Sequence, residues 1–193
     1  MNSKLVLGSQ SPRRAELLKA LGLNFRQLSS DIDESYPTNL KGAEISDFIA
    51  QAKADSLKEQ LADDELLICS DTIVCLADQV LGKPTDYQQA KEMLRSLSGQ
   101  SHHVISSICF SDKKESKVMH DSTEVFFKEL TDNEIDYYLE NFQPYDKAGA
   151  YGIQEWIGMI GIEKIIGSYF TVMGLPTHLI FEQLKAWRAL PIS

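Results

Sequence analysis

The 193-residue sequence has few cysteines, a deficit of positive charge and no long apolar run. Its three cysteines, Cys69, Cys75 and Cys109, are odd in number, lie among apolar neighbours and lack C-x-x-C spacing. That argues against a disulfide framework or a zinc site and for reduced core thiols. Lysine and arginine total 19 against 28 aspartates and glutamates, so the net charge of -9 repels DNA, RNA and anionic lipid at long range. Polymeric nucleic acid and membrane are therefore not expected as partners. No apolar stretch approaches the roughly 18 residues of a membrane span. The opening MNSKLVLGSQSPRR has no secretion-signal core, so a cytoplasmic location is expected. There is no low-complexity tract, Pro/Ser-rich linker or internal repeat, so residues 1–193 read as a single domain in which any lobes must be interleaved.

What is present is a chain of ordinary globular composition with clear local signals. KLVLGS reads as a strand. In SPRRAELLKALG, Ser11 can cap a helix that Pro12 opens and Gly22 stops. FRQLS predicts a second strand, followed by an acidic loop with Asp31, Asp33 and Glu34. From Gly42 to about Leu61, the residues Ile45, Phe48, Ile49 and Ala52 fall on one helical stripe. LLICSDTIVCL is an apolar run of strand length, GKP a turn, and Ala90, Met93, Leu94 and Leu97 mark another helix before Gly99. HHVISSICFS and KVMHDSTEVFFKEL alternate as paired antiparallel strands would. Thr131 and Glu134 form a capping box for a helix to about Asn141, with Ile135, Tyr138 and Leu139 on one face. DKAGAYGIQ is too broken in period for regular structure, and Thr177 to Ala189 reads as a final helix. Helices interspersed with buried and paired strands predict an α/β or α+β fold with a mixed sheet.

Asp71 is the least expected residue, a carboxylate inside an apolar strand run. Burying a lone charge costs several kcal/mol or more unless it is paired, so a metal ion, a lysine or a catalytic role would each explain it. The plain alternative is that the strand ends at Ser70 and Asp71 caps a turn. Arg13 and Arg14 stand in the first turn of a helix, where positive charge opposes the dipole. With Ser9 and Ser11 and the free N–H groups of the helix start they would grip a polyphosphate, or they are simply solvated. Lys53 on the 42–61 helix and Lys83 in the GKP turn could each reach a common anion, although lysine is by default a surface residue. Asp31, Asp33 and Glu34 offer oxygens of the kind Mg²⁺ prefers, provided they meet Asp71 in space.

In DKAGAYGIQ, Gly149 and Gly152 permit close backbone approach to a flat ligand, and Gln154 offers a donor and an acceptor to a base edge. Lys147 and Asp146 can equally form a local ion pair that pins the loop. His102, His103, His120 and His178 lack metal-site spacing and read as structural. Trp156 and Trp187 read as packing residues, with Trp156 also placed to stack beside the Gln154 loop.

Six strings in this order, SQSPRR, SDTIV, LGKP, LSGQSHHV, DKAGAYGIQ and GSYFTVMGLP, resemble the Maf family of nucleoside triphosphate pyrophosphatases from Leu7 to the final helix. The resemblance implies an α/β fold like that of Ham1 and inosine triphosphatase proteins, a long mixed sheet flanked by helices with two lobes and a central cleft. It implies hydrolysis between the α and β phosphates with a divalent metal, Mg²⁺ or Mn²⁺, and a homodimer. Asp71 matches the family's proton acceptor and a metal position shared with Glu34. Ser9, Arg13, Arg14, Lys53 and Lys83 match its phosphate-binding positions. In the branch resembling dTTP/UTP pyrophosphatases, the positions of Arg13, Thr72 and Gln154 govern the base, and all three residue types are present. The chain departs from the usual GIQG by continuing Gln154, Glu155, Trp156. An alternative, drawn from the family's link to septum formation, is a nucleotide-binding regulator of cell division. A buried carboxylate opposite cations favours catalysis over mere binding.

Overall fold

The structure, a computed structural model, describes residues 4–186. In chain order it contains β1 (Lys4–Gly8), α1 (Pro12–Ala20), β2 (Phe25–Leu28), α2 (Ala43–Leu57) with a 3₁₀ turn at Lys58–Gln60, and β3 (Glu65–Leu76). Then come β4 (Gln79–Leu81), α3 (Tyr87–Leu97), β5 (Ser101–Ser111), β6 (Ser116–Phe127) and α4 (Asp132–Phe142). A 3₁₀ turn at Ala148–Ala150, α5 (Trp156–Gly161), β7 (Ile162–Ile166), α6 (Tyr169–Val172) and α7 (Thr177–Ala186) follow. Trp187 and the end of the expected last helix lie outside the described residues.

The strands form a mixed sheet in the order β2-β1-β3-β5-β6-β7, with β4 paired to β3. β1 runs parallel to β2 and β3, with Leu5 opposite Phe25 and Leu66, whereas β3–β4 and β6–β7 are antiparallel. The chain divides into two compact units, Met1–Asp71 with Ser106–Asp121 and Gly174–Ser193, and Thr72–Ile105 with Ser122–Met173. The division falls inside β3, β5 and β6.

In the first unit, Val6, Leu67, Cys69 and Cys109 of the strands pack on Ala50, Ala54 and Leu57 of α2. The alanines let the helix approach closely, and Gly8 must be glycine because a Cβ there would run into Cys69 Sγ and Leu57. The helix buries only part of the stripe its periodicity indicates: Ile45 and Ile49 are buried, Ala52 is half-buried and Phe48 is turned out. Phe48 is 42% exposed, and the buried face holds Ile45, Ser46, Ile49, Ala50, Lys53, Ala54 and Leu57. The small residues, not the aromatic, face the sheet, and Lys53 is carried inward with them.

In the second unit, Leu94 and Leu97 of α3, Ile135, Tyr138 and Leu139 of α4, and Val125 and Phe127 of β6 form one core with Tyr151 and Ile157. α4 starts at the expected capping box, Thr131 Oγ1 accepting from Glu134 N–H at 3.3 Å and Glu134 Oε2 from Thr131 N–H at 2.8 Å. β4, α5, β7 and α6 have no counterpart in the sequence-based expectation, because segments of three to six residues are too short to display a period. All three cysteines are buried and free.

Candidate active site

The first unit builds a cation-rich turn. β1 ends at Gly8, the chain bends through Ser9, Gln10 and Ser11, and α1 begins at Pro12. Ser9 Oγ accepts from Ser11 N–H at 3.2 Å, Ser11 Oγ accepts from Arg14 N–H at 3.5 Å, and Gln27 Nε2 donates to the Ser9 carbonyl at 3.1 Å. The first turn of α1 contains no acidic residue, so its N–H groups and Arg13 make it electropositive. Arg14 turns inward. Its Nη1 donates to the Ser70 carbonyl at 2.7 Å and to Ser9 Oγ at 3.4 Å, and its Nε donates to the Gly174 carbonyl at 2.9 Å. Burial pulls the guanidinium pKa down; Asp71 opposes that shift, Arg13 adds to it and Glu34 opposes it.

Opposite lies the acidic side of the cluster. β3 continues through Asp71 to Leu76, so Asp71 caps no turn, and it is buried at 7% exposure. Lys53, on the inward face of α2, places Nζ 2.7 Å from Asp71 Oδ1 and 2.7 Å from Glu34 Oε1. A lysine is thus the counter-charge that the sequence left open. Ser9, Arg14, Glu34, Lys53 and Asp71 are brought together, with Arg13 beside them on α1. Asp33 instead binds Ser35, through Ser35 N–H at 3.0 Å and Ser35 Oγ at 2.9 Å, and Asp31 is exposed. Among the described residues no group of three His, Cys, Asp or Glu is arranged to hold a metal ion. Two carboxylates meeting at one point still suit Mg²⁺, which binds through one or two carboxylates together with substrate phosphates.

The second unit carries Thr72, Lys83 and Gln154. Side chains alternate along a strand, so Asp71 shares a face of β3 with Cys69 and Thr72 shares the other with Val74. Val74 is where the DKAGAYGIQ loop lands. Gly149 has φ 70°, and a Cβ there would press within 3.1 Å of the Val74 methyls. Gly149 N–H donates to the Gly82 carbonyl at 3.1 Å, tying this loop to the turn that presents the exposed Lys83. Gln154 is half-buried, and its side-chain amide makes no hydrogen bond among the described residues.

The Lys147–Asp146 pair expected from the sequence is present, but the loop's further support through Glu155 and Tyr138 was missed. Glu155 accepts a hydrogen bond from Tyr138 OH and pairs with Lys147 Nζ at 3.0 Å, while Lys147 also reaches Asp146 at 2.7 Å. Tyr138 looked like a plain apolar-face residue of α4, and its hydroxyl gave no signal. Trp156 packs on Tyr137 with ring centroids 4.8 Å apart. His102 is buried, with Nε2 2.7 Å from Tyr151 OH, and takes no part in either cluster.

The sequence profile of the Maf-like protein family matches residues 4–187. The dTTP/UTP pyrophosphatase of Flavobacterium psychrophilum is 48% identical over 183 residues, covering 95% of this chain and 94% of that protein. The dTTP/UTP pyrophosphatase of Bacteroides fragilis is 49% identical over 183 residues, covering 94% and 95%. Among solved structures, a nucleoside-triphosphatase / dITP/XTP pyrophosphatase of Mycobacterium abscessus aligns over 97% of this chain and 98% of its own, at 14% identity and a TM-score of 0.48.

Proposed function

The chain belongs to the Maf family, and from that premise we propose that it is a nucleoside triphosphate pyrophosphatase hydrolysing dTTP and UTP to the monophosphate and diphosphate. One observation carries the reading. A buried carboxylate, Asp71, is paired with Lys53, which also pairs with Glu34, beside the acid-free start of α1. Binding an anion gives no reason for a buried carboxylate beside cations, whereas activating water against a phosphoanhydride calls for a proton acceptor at that place.

Asp71 takes the proton of the attacking water as the bond between the α and β phosphates opens. Ser9 and Arg13, at the positive end of the α1 dipole, bind phosphate oxygens, and Lys53 and Lys83 neutralise charge on the triphosphate. Arg14, whose guanidinium grips the Ser70 and Gly174 carbonyls and reaches Ser9 Oγ, holds the backbone next to Asp71 and orients the Ser9 hydroxyl as well as adding positive charge. Glu34 and Asp71 are the residues that would hold a divalent cation, Mg²⁺ or Mn²⁺, which when bound screens the phosphate charges. Gln154 reads the O4 and N3–H edge of uracil or thymine, and Arg13 and Thr72 complete the choice of base.

A cytoplasmic location belongs to the same reading, and no described helix is long and apolar enough to cross a membrane. A homodimer does too, supported by Ile166, Tyr169 and Phe170, exposed at 51%, 38% and 45% around the edge strand β7. No relative described above is named for a part in septum formation, and nothing in the geometry favours a regulator of cell division.

The test is diphosphate release from UTP, dTTP, CTP and GTP by purified protein with Mg²⁺ or Mn²⁺. UTP and dTTP are expected to lead. Absence of diphosphate release from every substrate overturns the enzyme reading, and equal rates or GTP ahead overturn the base preference alone.

A further inference from the structure

We propose that Glu155 is a positioning residue for base selection, holding the Gln154 turn rigid through Tyr138 and Lys147. This rests on the reading of Gln154 as the residue that meets the base. Three segments converge on the carboxylate. Tyr138 OH, from a fully buried side chain on α4, donates to Glu155 and accepts from Gly152 N–H at 3.1 Å, so one hydroxyl ties Glu155 to the backbone two residues before Gln154. Lys147 Nζ, on a side chain 10% exposed, closes from the other side at 3.0 Å. Glu155 N–H donates to the Gly152 carbonyl at 3.0 Å, completing a four-residue turn whose two middle residues are Ile153 and Gln154.

The parts fit only in this combination. A Cβ at position 152 would lie 2.9 Å from the Glu155 carboxyl carbon, so glycine is needed there for the carboxylate to reach its partners. Without Glu155, the buried Lys147 would retain, among the described residues, only Asp146 as a counter-charge, whose side chain is 63% exposed. Burial and the neighbouring Glu155 both raise the Tyr138 phenol pKa, which keeps it protonated as the donor this arrangement needs. Gln154 itself is bracketed by bonds at residues 152 and 155, and its amide is left to the ligand. An amide on a slack turn can rotate and shift to suit a cytosine edge, whereas one on a fixed turn leaves a mismatched edge unpaired.

The experiment compares kcat/KM for UTP and CTP in wild type, Glu155→Gln, Glu155→Ala, Tyr138→Phe and Gln154→Ala. A ratio of two substrates on one preparation cancels the fraction of protein that is folded, so loss of stability alone does not move it. Expected is a fall of the UTP:CTP ratio by about tenfold in Glu155→Ala and Tyr138→Phe, within the range a lost polar contact gives. The fall should come mainly through a higher KM for UTP, with Glu155→Gln, which can still accept from Tyr138, intermediate. If Gln154→Ala abolishes the preference while the Glu155 and Tyr138 variants keep it, the positioning role is overturned and the Gln154 reading stands. If wild type shows no preference, both are overturned.

Discussion

Lys53 Nζ stands 2.7 Å from Asp71 Oδ1 and at the same distance from Glu34 Oε1, so one buried ammonium holds two carboxylates whose residues lie 37 positions apart. Removing the partner would leave a carboxylate buried in β3 without its counter-charge, which is costly. The first prediction is a separation of effects. Asp71→Asn is expected to keep the fold and lower kcat by about 10² to 10⁴-fold, the range for loss of a general base. Lys53→Met is expected to destabilise the protein by about 3 kcal/mol, because it strands a buried carboxylate. Steady-state kinetics and urea unfolding check the pair; an Asp71→Asn enzyme with normal turnover would remove Asp71 from the chemistry.

Neighbouring arginines on α1 are expected to respond differently. Arg13→Ala should weaken triphosphate binding by about 1.5 to 3 kcal/mol, the range for hydrogen bonds to charged groups. Arg14→Ala should lower the ligand-free Tm as well, since it removes the donors to the Ser70 and Gly174 carbonyls. Calorimetric titration with a non-hydrolysable triphosphate and thermal melts separate the two; equal affinity in Arg13→Ala would end its phosphate role.

His102 makes stability depend on pH. Burial, then the charge of His103, lowers its pKa from 6.5 to about 4, and Nδ1 has no hydrogen-bond partner among the described residues. The unfolded chain takes up a proton below pH 6.5 that the folded chain refuses until about pH 4. The stability is therefore complete above 6.5 and is lost progressively as pH falls through that window, by about 3 kcal/mol in all. Urea unfolding of wild type and His102→Gln at pH 7 and pH 5 should show a smaller pH dependence in the variant. Equal slopes would assign the acid sensitivity to other groups.

The parts of the molecule legible in the sequence are those whose cause is local. The Ser11 cap with Pro12, the Thr131–Glu134 capping box and the apolar run of β3 each depend on residues within a few positions of one another, so spacing alone reveals them. The order of motifs was enough to indicate the family. Tertiary structure decided where the charges go. Lys53 lies 18 residues from Asp71, Arg14 lies 56 from Ser70 and 160 from Gly174, and Tyr138 lies 17 from Glu155. No periodicity encodes such pairings. α2 illustrates the reason: its apolar spacing put Phe48 on the buried stripe, yet close packing against the sheet selected Ala50 and Ala54 instead, and that rotation is what delivers Lys53 to Asp71. Which face a helix buries depends on the shape it must fit as well as on its hydrophobicity, and that shape exists only once the chain has folded.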